Sequence, residues 1–324
     1  MMFRRILTTT AVAVAALVVV SGAVAGERRK VTIRSTADGS DQPCYLIVPE
    51  GLTSAGPPVP LLVSLHSWSA DVEQRNEPLE KLAEQKGWLY LFPHFRGPNQ
   101  QPDACGSEKA RQDILDAVAW ARQHYPVDSR RVYLTGASGG GYMTMLMAGR
   151  HPDVWAAASA WVGISDLAAW HASQAQTRYG AMLRQCCGGA PGDSAQVDRE
   201  YRERSPLTHL AGARDVPLDL SAGVHDGHRG SVPIRHTLDA FNVIARARGA
   251  TPISEPEIEQ LSRVEGKLEH PQPGDEGEDP TFGRRIYLRR WAGPVRVTIF
   301  EGGHEDLAAA TVAWLETHRR AGAE

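Results

Sequence analysis

Length, composition and charge limit what this chain can be. With 324 residues and 42% hydrophobic content, it can bury a sizeable core as one large domain or two small ones. Its formal net charge of −3 at pH 7, without a basic stripe along the sequence, argues against a nucleic-acid partner.

Residues 1–25 have the features of a signal peptide. Arg4 and Arg5 precede an apolar run over 6–20, and Ala23-Val24-Ala25 is a small-residue cleavage site. An uncleaved membrane anchor is the weaker alternative, because the apolar run is short for a bilayer span and contains three threonines. We therefore expect a secreted or periplasmic protein whose mature chain begins near Gly26 and has no membrane span.

Short apolar runs typical of strands alternate with segments of helical periodicity. The predicted strands cover 30–34, 44–48, 61–65, 88–92, 132–134, 156–162, 218–224, 286–291 and 295–300. The predicted helices cover 76–86, 107–125, an apolar segment from Tyr142, a segment around 234–244, and 305–319. This alternation predicts an α/β fold with a mostly parallel sheet and helices on both faces, in one domain over 26–324.

Two segments interrupt the alternation. Residues 167–214 are rich in Gln, Arg, Gly and Ala, and they form either a cap over the site or surface excursions. Residues 249–285 are polar and acidic with five prolines, and we expect a partly flexible insertion there instead of a second domain.

The four cysteines fit an exported protein, because an oxidising compartment favours disulfides. No C-x-x-C pair is present, so we expect no zinc site. A bond between adjacent Cys186 and Cys187 would strain the peptide, which favours Cys105 bonded to either of them. Buried free thiols, Cys44 included, are the alternative.

The segment 131–151 carries the strongest chemical signal. Gly136-Ala137-Ser138-Gly139-Gly140 is a G-x-S-x-G pentapeptide between the strand at 132–134 and the apolar helix. Strand, glycine turn and helix form the context of a nucleophile elbow, in which the serine hydroxyl stands clear of the sheet. Ser138 is thus the predicted nucleophile, and a Gly/Ser-rich turn without catalysis is the alternative.

A serine nucleophile needs a base and an acid that orients it. Asp226 and His304 follow Ser138 in this order, each directly after a predicted strand. The carboxyl ends of parallel strands meet at one sheet edge, so we predict Asp226 as the acid and His304 as the base.

Other residues compete for these roles. Asp166 is the runner-up acid because it also follows a strand, and Asp215 and Asp219 are weaker candidates. His225 and His228 flank Asp226, and with it they suggest a metal-dependent hydrolase. We interpret them instead as bystanders on the acid loop and expect neither metal nor cofactor.

The oxyanion formed during acyl transfer needs backbone N–H donors. Gly139 N–H supplies one, since this residue follows the nucleophile. The other donor comes from the loop after the strand at 61–65, that is, from Ser67 or Trp68. The Trp68 ring either caps the core or walls the substrate pocket, and His66 fits a role other than catalysis.

Three motifs, GASGGGYMT at 136–144, VHDGHRGSVP at 224–233 and FEGGHE at 300–305, resemble the catalytic domain of the prolyl oligopeptidase family. They are also similar to exported esterases that cleave feruloyl, acetyl or polyester bonds. The resemblance implies an α/β-hydrolase fold with Ser138, Asp226 and His304 as its triad. Too few residues precede the elbow for the family's β-propeller, so the prolyl-peptide specificity does not carry over.

The leading hypothesis is therefore an exported serine hydrolase that acts on a carboxylic ester, such as a plant-polymer or acyl-carbohydrate ester. A peptidase with the same triad is the close alternative, because acyl transfer from a serine serves both. A binding module on an inactive hydrolase scaffold is the alternative of another class, and it predicts a broken triad.

Overall fold

The computed structural model describes residues 26–321, so the predicted signal peptide lies outside the described residues. Within this range no helix has the length and apolar character needed to cross a membrane. The strands are β1 (Arg29–Arg34), β2 (Asp41–Ile47), β3 (Val59–Leu65), β4 (Leu89–Pro93), β5 (Val127–Ala137), β6 (Ala157–Trp161), β7 (Leu218–Gly223), β8 (Gly277–Asp279), β9 (Arg284–Ala292) and β10 (Val295–Phe300). The helices are α1 (Glu77–Gln85), α2 (Glu108–His124), α3 (Gly139–Arg150), α4 (Leu167–Gln174), α5 (Arg178–Cys187), α6 (Ala195–Arg204), α7 (Arg235–Ala247), α8 (Glu255–Leu261) and α9 (Ala308–Glu316).

The ten strands form one sheet in the order β1-β2-β4-β3-β5-β6-β7-β10-β9-β8. The central strands from β4 to β10 are parallel, whereas β1, β2, β8 and β9 pair antiparallel at the two edges. β3 lies between β4 and β5, so the chain reverses its direction of winding there and opens a crevice at the carboxyl ends of the strands. The predicted α/β fold with a mostly parallel sheet is confirmed.

Helices cover both faces of the sheet because successive strand residues point to opposite sides. On β3, Leu61 and Val63 belong to the larger core, with α2, α3 and α7, whereas Leu62 belongs to the smaller core, with α1 and α9. Helix α2 begins at a side-chain cap, because the Ser107 side chain accepts the N–H of Ala110.

The two irregular segments contain more regular structure than their composition predicts. Residues 167–214 form α4, α5 and α6 and two short 3₁₀ turns. Within 249–285, Ser254 and Glu257 form a capping box at the start of α8, and β8 extends the sheet beside β9. Arg290 of β9 binds both Asp275 and Glu257, which ties this polar insertion to the sheet.

Candidate active site

Ser138 lies directly between β5 and α3, as the sequence predicts. Its backbone has φ 59° and ψ −117°, a conformation that L-residues rarely adopt. Such a backbone costs about 1–3 kcal/mol and persists only where the surroundings enforce it. A Cβ on Gly136 would lie 2.5 Å from the Gly140 carbonyl carbon, and one on Gly140 would lie 2.2 Å from the Leu65 oxygen. The glycines therefore allow the tight turn that lifts Ser138 above the sheet.

Asp226 and His304 lie together at the same edge of the sheet. Asp226 follows β7 and His304 follows β10, and Nδ1 of His304 is 2.7 Å from Oδ2 of Asp226. An ionised carboxylate only accepts hydrogen bonds, so Nδ1 carries the ring proton and Nε2 is left as an acceptor. The other carboxylate oxygen accepts the N–H groups of Gly227 and Val232 at 3.0 and 3.2 Å. The Asp226 side chain is fully buried, whereas His304 is 26% exposed.

Gly230 packs directly against this pair. A Cβ there would lie 2.1 Å from the second carboxylate oxygen of Asp226 and 2.8 Å from Cβ of His304. Gly223 likewise allows close approach of the loop before His304, since its Cβ would lie 2.3 Å from the Gly303 oxygen. Both glycines let the acid and base loops meet.

The alternative acids have other partners. Asp166 is the N-cap of α4, where it accepts two backbone N–H groups. Asp219 lies within β7 and is paired with Arg296 at 2.8 Å, and the exposed Asp215 is paired with Arg248 at 2.6 Å.

The loop after β3 contacts the elbow where an oxyanion site requires it. A Cβ on Gly139 would lie 2.2 Å from the Trp68 nitrogen, so the two backbones are in van der Waals contact. The Ser67 N–H donates to Oε1 of Gln74 at 2.8 Å and is not free for a substrate. Of the two predicted donors on this loop, the Trp68 N–H is therefore the better placed. The sequence analysis did not identify Gln74, because a hydrogen bond between residues seven positions apart in a loop has no recognisable sequence pattern.

Buried groups hold this loop from beneath. The His66 ring stacks on Phe95 at 3.8 Å between centroids and donates from Nε2 to the His94 oxygen at 2.8 Å. Burial lowers the pKa of His66 to about 4, so the ring is neutral at pH 7. The Trp68 oxygen accepts the Asn99 N–H at 2.9 Å. His66 thus has a structural role, consistent with its exclusion from the triad.

The Trp68 side chain is only 2% exposed, so it belongs to the core. Its ring contacts Trp170 of α4 edge to face, with centroids 4.7 Å apart, and Tyr142 of α3 at 5.4 Å. The Trp170 indole donates to the Ser231 oxygen on the acid loop at 2.8 Å. The segment 167–214 is in this way packed against both the elbow and the acid loop.

The histidines beside Asp226 bind elsewhere. Nε2 of His225 is 2.9 Å from Oε1 of Glu301, and Nε2 of His228 is 3.0 Å from the Ser262 oxygen. Among residues 26–321, no group of three or more His, Cys, Asp or Glu side chains could hold a metal ion.

The four cysteines are buried, free thiols, so the predicted disulfide is not formed in this structure. The predicted partners are neighbours, since the Cys105 thiol raises the pKa of the Cys186 thiol. Burial raises the pKa of the Cys187 thiol, which keeps it protonated. Arg204 fixes the Cys105 loop by donating to the Cys105 oxygen at 3.2 Å.

Comparison with known proteins assigns the chain to a family. Residues 80–252, more than half of the chain, match the Prolyl oligopeptidase family, a range that includes Ser138 and Asp226. Acetylxylan esterase A of Aspergillus ficuum is 27% identical over 149 residues, which cover 43% of this chain and 49% of that protein. Acetylxylan esterase A of Aspergillus oryzae is 26% identical over 147 residues. The matched region thus spans about half the length of these relatives.

Solved structures show the same fold. An acylaminoacyl peptidase of Pyrococcus horikoshii has a TM-score of 0.56 and 20% identity, over 69% of this chain and 36% of that one. A puromycin-hydrolyzing peptidase of Mycobacterium tuberculosis has a TM-score of 0.59 and 19% identity, over 89% of this chain and 38% of that one. With its strand order, elbow and family match, this chain is a serine hydrolase of the α/β-hydrolase fold and belongs to the prolyl oligopeptidase family.

Proposed function

We propose that the protein is an exported esterase in which Ser138 is the nucleophile, His304 the general base and Asp226 the acid that orients it. The observation that carries the proposal is the 2.7 Å hydrogen bond between His304 and Asp226, at the sheet edge where the Ser138 elbow stands. Export is supported by the signal-peptide pattern of residues 1–25.

The geometry suggests the following acyl-transfer mechanism. Nε2 of His304 takes the Ser138 hydroxyl proton as Oγ attacks the ester carbonyl. The oxyanion that forms is stabilised by the N–H groups of Gly139 and Trp68. The protonated His304, held by Asp226, then gives its proton to the leaving alcohol. Water, activated by the same histidine, hydrolyses the acyl-enzyme and frees Ser138.

We favour an ester of a plant polysaccharide as the substrate. The sequence relatives that align with nearly half of this chain are named acetylxylan esterases. A peptidase is the second candidate, which the family match and the names of the structural neighbours favour. These two solved structures are 20% identical or less and support the fold alone, so we favour the esterase hypothesis.

The test combines active-site labelling with a substrate panel. The purified protein is treated with a fluorophosphonate probe, mapped by peptide mass spectrometry, and assayed on aryl acetate, acetylated xylan and a prolyl anilide. We expect the label on Ser138 and turnover of the acetyl esters. Ser138→Ala should lose both label and turnover by several orders of magnitude, whereas Ser129→Ala, at an exposed position in β5, should lose neither.

The other outcomes separate the alternatives. Turnover of the anilide with inert esters would make the protein a peptidase. Absence of label and of turnover would refute the triad assignment and favour a binding module on a hydrolase scaffold. Full activity of Ser138→Ala would show that the elbow serine is not the nucleophile.

A further inference from the structure

A tryptophan far from the candidate triad lies open to solvent. Trp291, near the end of β9, is 53% exposed, and among residues 26–321 the only other exposed large hydrophobic side chain is Val264. An indole of this size left in water is unfavourable, and such exposure on a globular protein often marks a binding surface.

Trp291 is one wall of a cavity. Its ring packs against Trp314 of α9, with centroids 5.7 Å apart and planes inclined by 40°. The two indoles flank a cavity of about 360 Å³, within the usual range for small-molecule sites. We call it the aromatic cleft, and its other walls are Asp279, Thr281, Arg296, Ala310, Ala313, Thr317 and His318.

The charges around the aromatic cleft are already neutralised within the protein. Arg296 binds the fully buried Asp219 at 2.8 Å, and its guanidinium lies 4.5 Å from the centre of the Trp314 ring. Asp279 is paired with Arg289 at 2.8 Å. Burial lowers the pKa of His318, so this ring is neutral at pH 7. The cleft therefore offers no net charge to attract an ionic ligand.

The rim nevertheless carries polar atoms. The Thr281 hydroxyl donates to the Asp279 carboxylate at 2.7 Å, and Nδ1 of His318 donates to the Trp314 oxygen at 2.9 Å. The remaining lone pairs of these three groups would be shut off from water beneath a purely apolar partner. A neutral ligand with an apolar face and many hydroxyl groups avoids this penalty. A sugar ring has this character: its C–H face packs on an indole while its hydroxyls bond to the rim.

The aromatic cleft is separate from the candidate active site. Trp291 pairs with Arg296 near the start of β10, whereas His304 follows the end of that strand at Phe300. The four residue-to-residue steps from Arg296 to Phe300 span about 13 Å of strand. A ligand in the cleft would thus leave the catalytic edge open.

We propose that the aromatic cleft binds a neutral polysaccharide, with a sugar ring stacked on Trp291, and so holds a polymer on the protein at a distance from the catalytic edge. The choice of xylan as probe and the expected gain in hydrolysis rest on the proposed function, whereas binding itself does not, because the cleft's chemistry calls for a neutral carbohydrate of any linkage. The cleft would raise the local concentration of acyl groups carried on the same polymer.

The test measures binding and turnover separately. Binding of xylohexaose and cellohexaose is followed by calorimetry on the full chain carrying Ser138→Ala, so that no acyl chemistry intervenes. Adding Trp291→Ala should weaken binding at least tenfold, and Trp291→Phe, which keeps a smaller ring, should weaken it less. Adding Val264→Ala, the matched change at the other exposed hydrophobic, should leave binding unchanged.

In the enzyme with Ser138 intact, Trp291→Ala should lower activity on insoluble acetylated xylan several-fold and leave aryl acetate hydrolysis unchanged. The proposal is overturned if neither hexasaccharide binds, or if Trp291→Ala binds as tightly as Val264→Ala. An enzyme that hydrolyses aryl acetate but binds no hexasaccharide would refute carbohydrate binding at the aromatic cleft and leave the proposed esterase function intact. A protein that is inert on every ester but still binds the hexasaccharides through Trp291 would refute the esterase function and support the binding site.

Discussion

Gln74 provides the sharpest test of the proposal that the loop after β3 supplies an oxyanion donor. Its side-chain oxygen accepts the Ser67 N–H at 2.8 Å, and the next residue, Trp68, presents its N–H beside Gly139. Gln74→Leu keeps the size of the side chain and removes the acceptor. The Ser67 N–H then loses its partner, and the loop is free to rotate Trp68 away from the oxyanion.

The expected loss of kcat in Gln74→Leu lies between a lower and an upper limit. A neutral hydrogen bond contributes about 1 kcal/mol, which corresponds to about fivefold in rate. Complete removal of an oxyanion donor costs about 10²–10³ in kcat. The Trp68 oxygen keeps its hydrogen bond to Asn99, so the loop is loosened without being released. We therefore expect Gln74→Leu to lower kcat about tenfold on aryl acetate with little change in KM, because the donor acts on the transition state.

Two further variants distinguish a role of Gln74 in positioning the Trp68 N–H from a non-specific loss of structure. Gln74→Glu keeps an acceptor oxygen and should restore most of kcat. Gln85→Leu makes the same change at an exposed position at the end of α1 and should have no effect. Wild-type kcat in Gln74→Leu, or equal losses in the Leu and Glu variants, would refute this role of Gln74.

Three other predictions concern the acid, a buried histidine and the thiols. Asp226→Asn should fold normally but lose about 10⁴ in kcat, as in related triads, because His304 takes the wrong tautomer; a loss under tenfold would contradict this. Burial lowers the pKa of His236 from 6.5 to about 4, and its Nδ1 accepts two backbone N–H groups. Only the unfolded chain binds this proton between those pH values, so His236 alone should lower the free energy of unfolding by about 3 kcal/mol from pH 6.5 to 4. Urea titrations in which His236→Leu matches the wild-type pH dependence would refute it. Non-reducing peptide mapping of the exported protein should find Cys105 bonded to Cys186, whereas four alkylatable thiols would exclude that bond.

Local patterns were enough to predict most of the fold. Short apolar runs predicted most central strands to within a few residues, such as 156–162 for β6 at Ala157–Trp161, whereas β5 at Val127–Ala137 extends well beyond the predicted 132–134. The strand, glycine turn and helix around Ser138 were predictable because the strained backbone requires glycines at fixed neighbouring positions. The regular elements inside 167–214 and 249–285 were not predicted, because their polar composition hides short helices that tertiary contacts stabilise.

The sequence by itself determined which residues could carry the chemistry, because Ser138, Asp226 and His304 each follow a strand that ends at one sheet edge. Only the tertiary structure favours Trp68 over Ser67 as the candidate donor, because the Ser67 N–H donates to the side-chain oxygen of Gln74. It alone brought together the indoles of the aromatic cleft, and it alone paired the buried Asp219 with Arg296, 77 residues later. The physical reason is range: periodicity and turn chemistry act between near neighbours in the chain, whereas these contacts arise from side chains that meet only when the sheet and its helices pack.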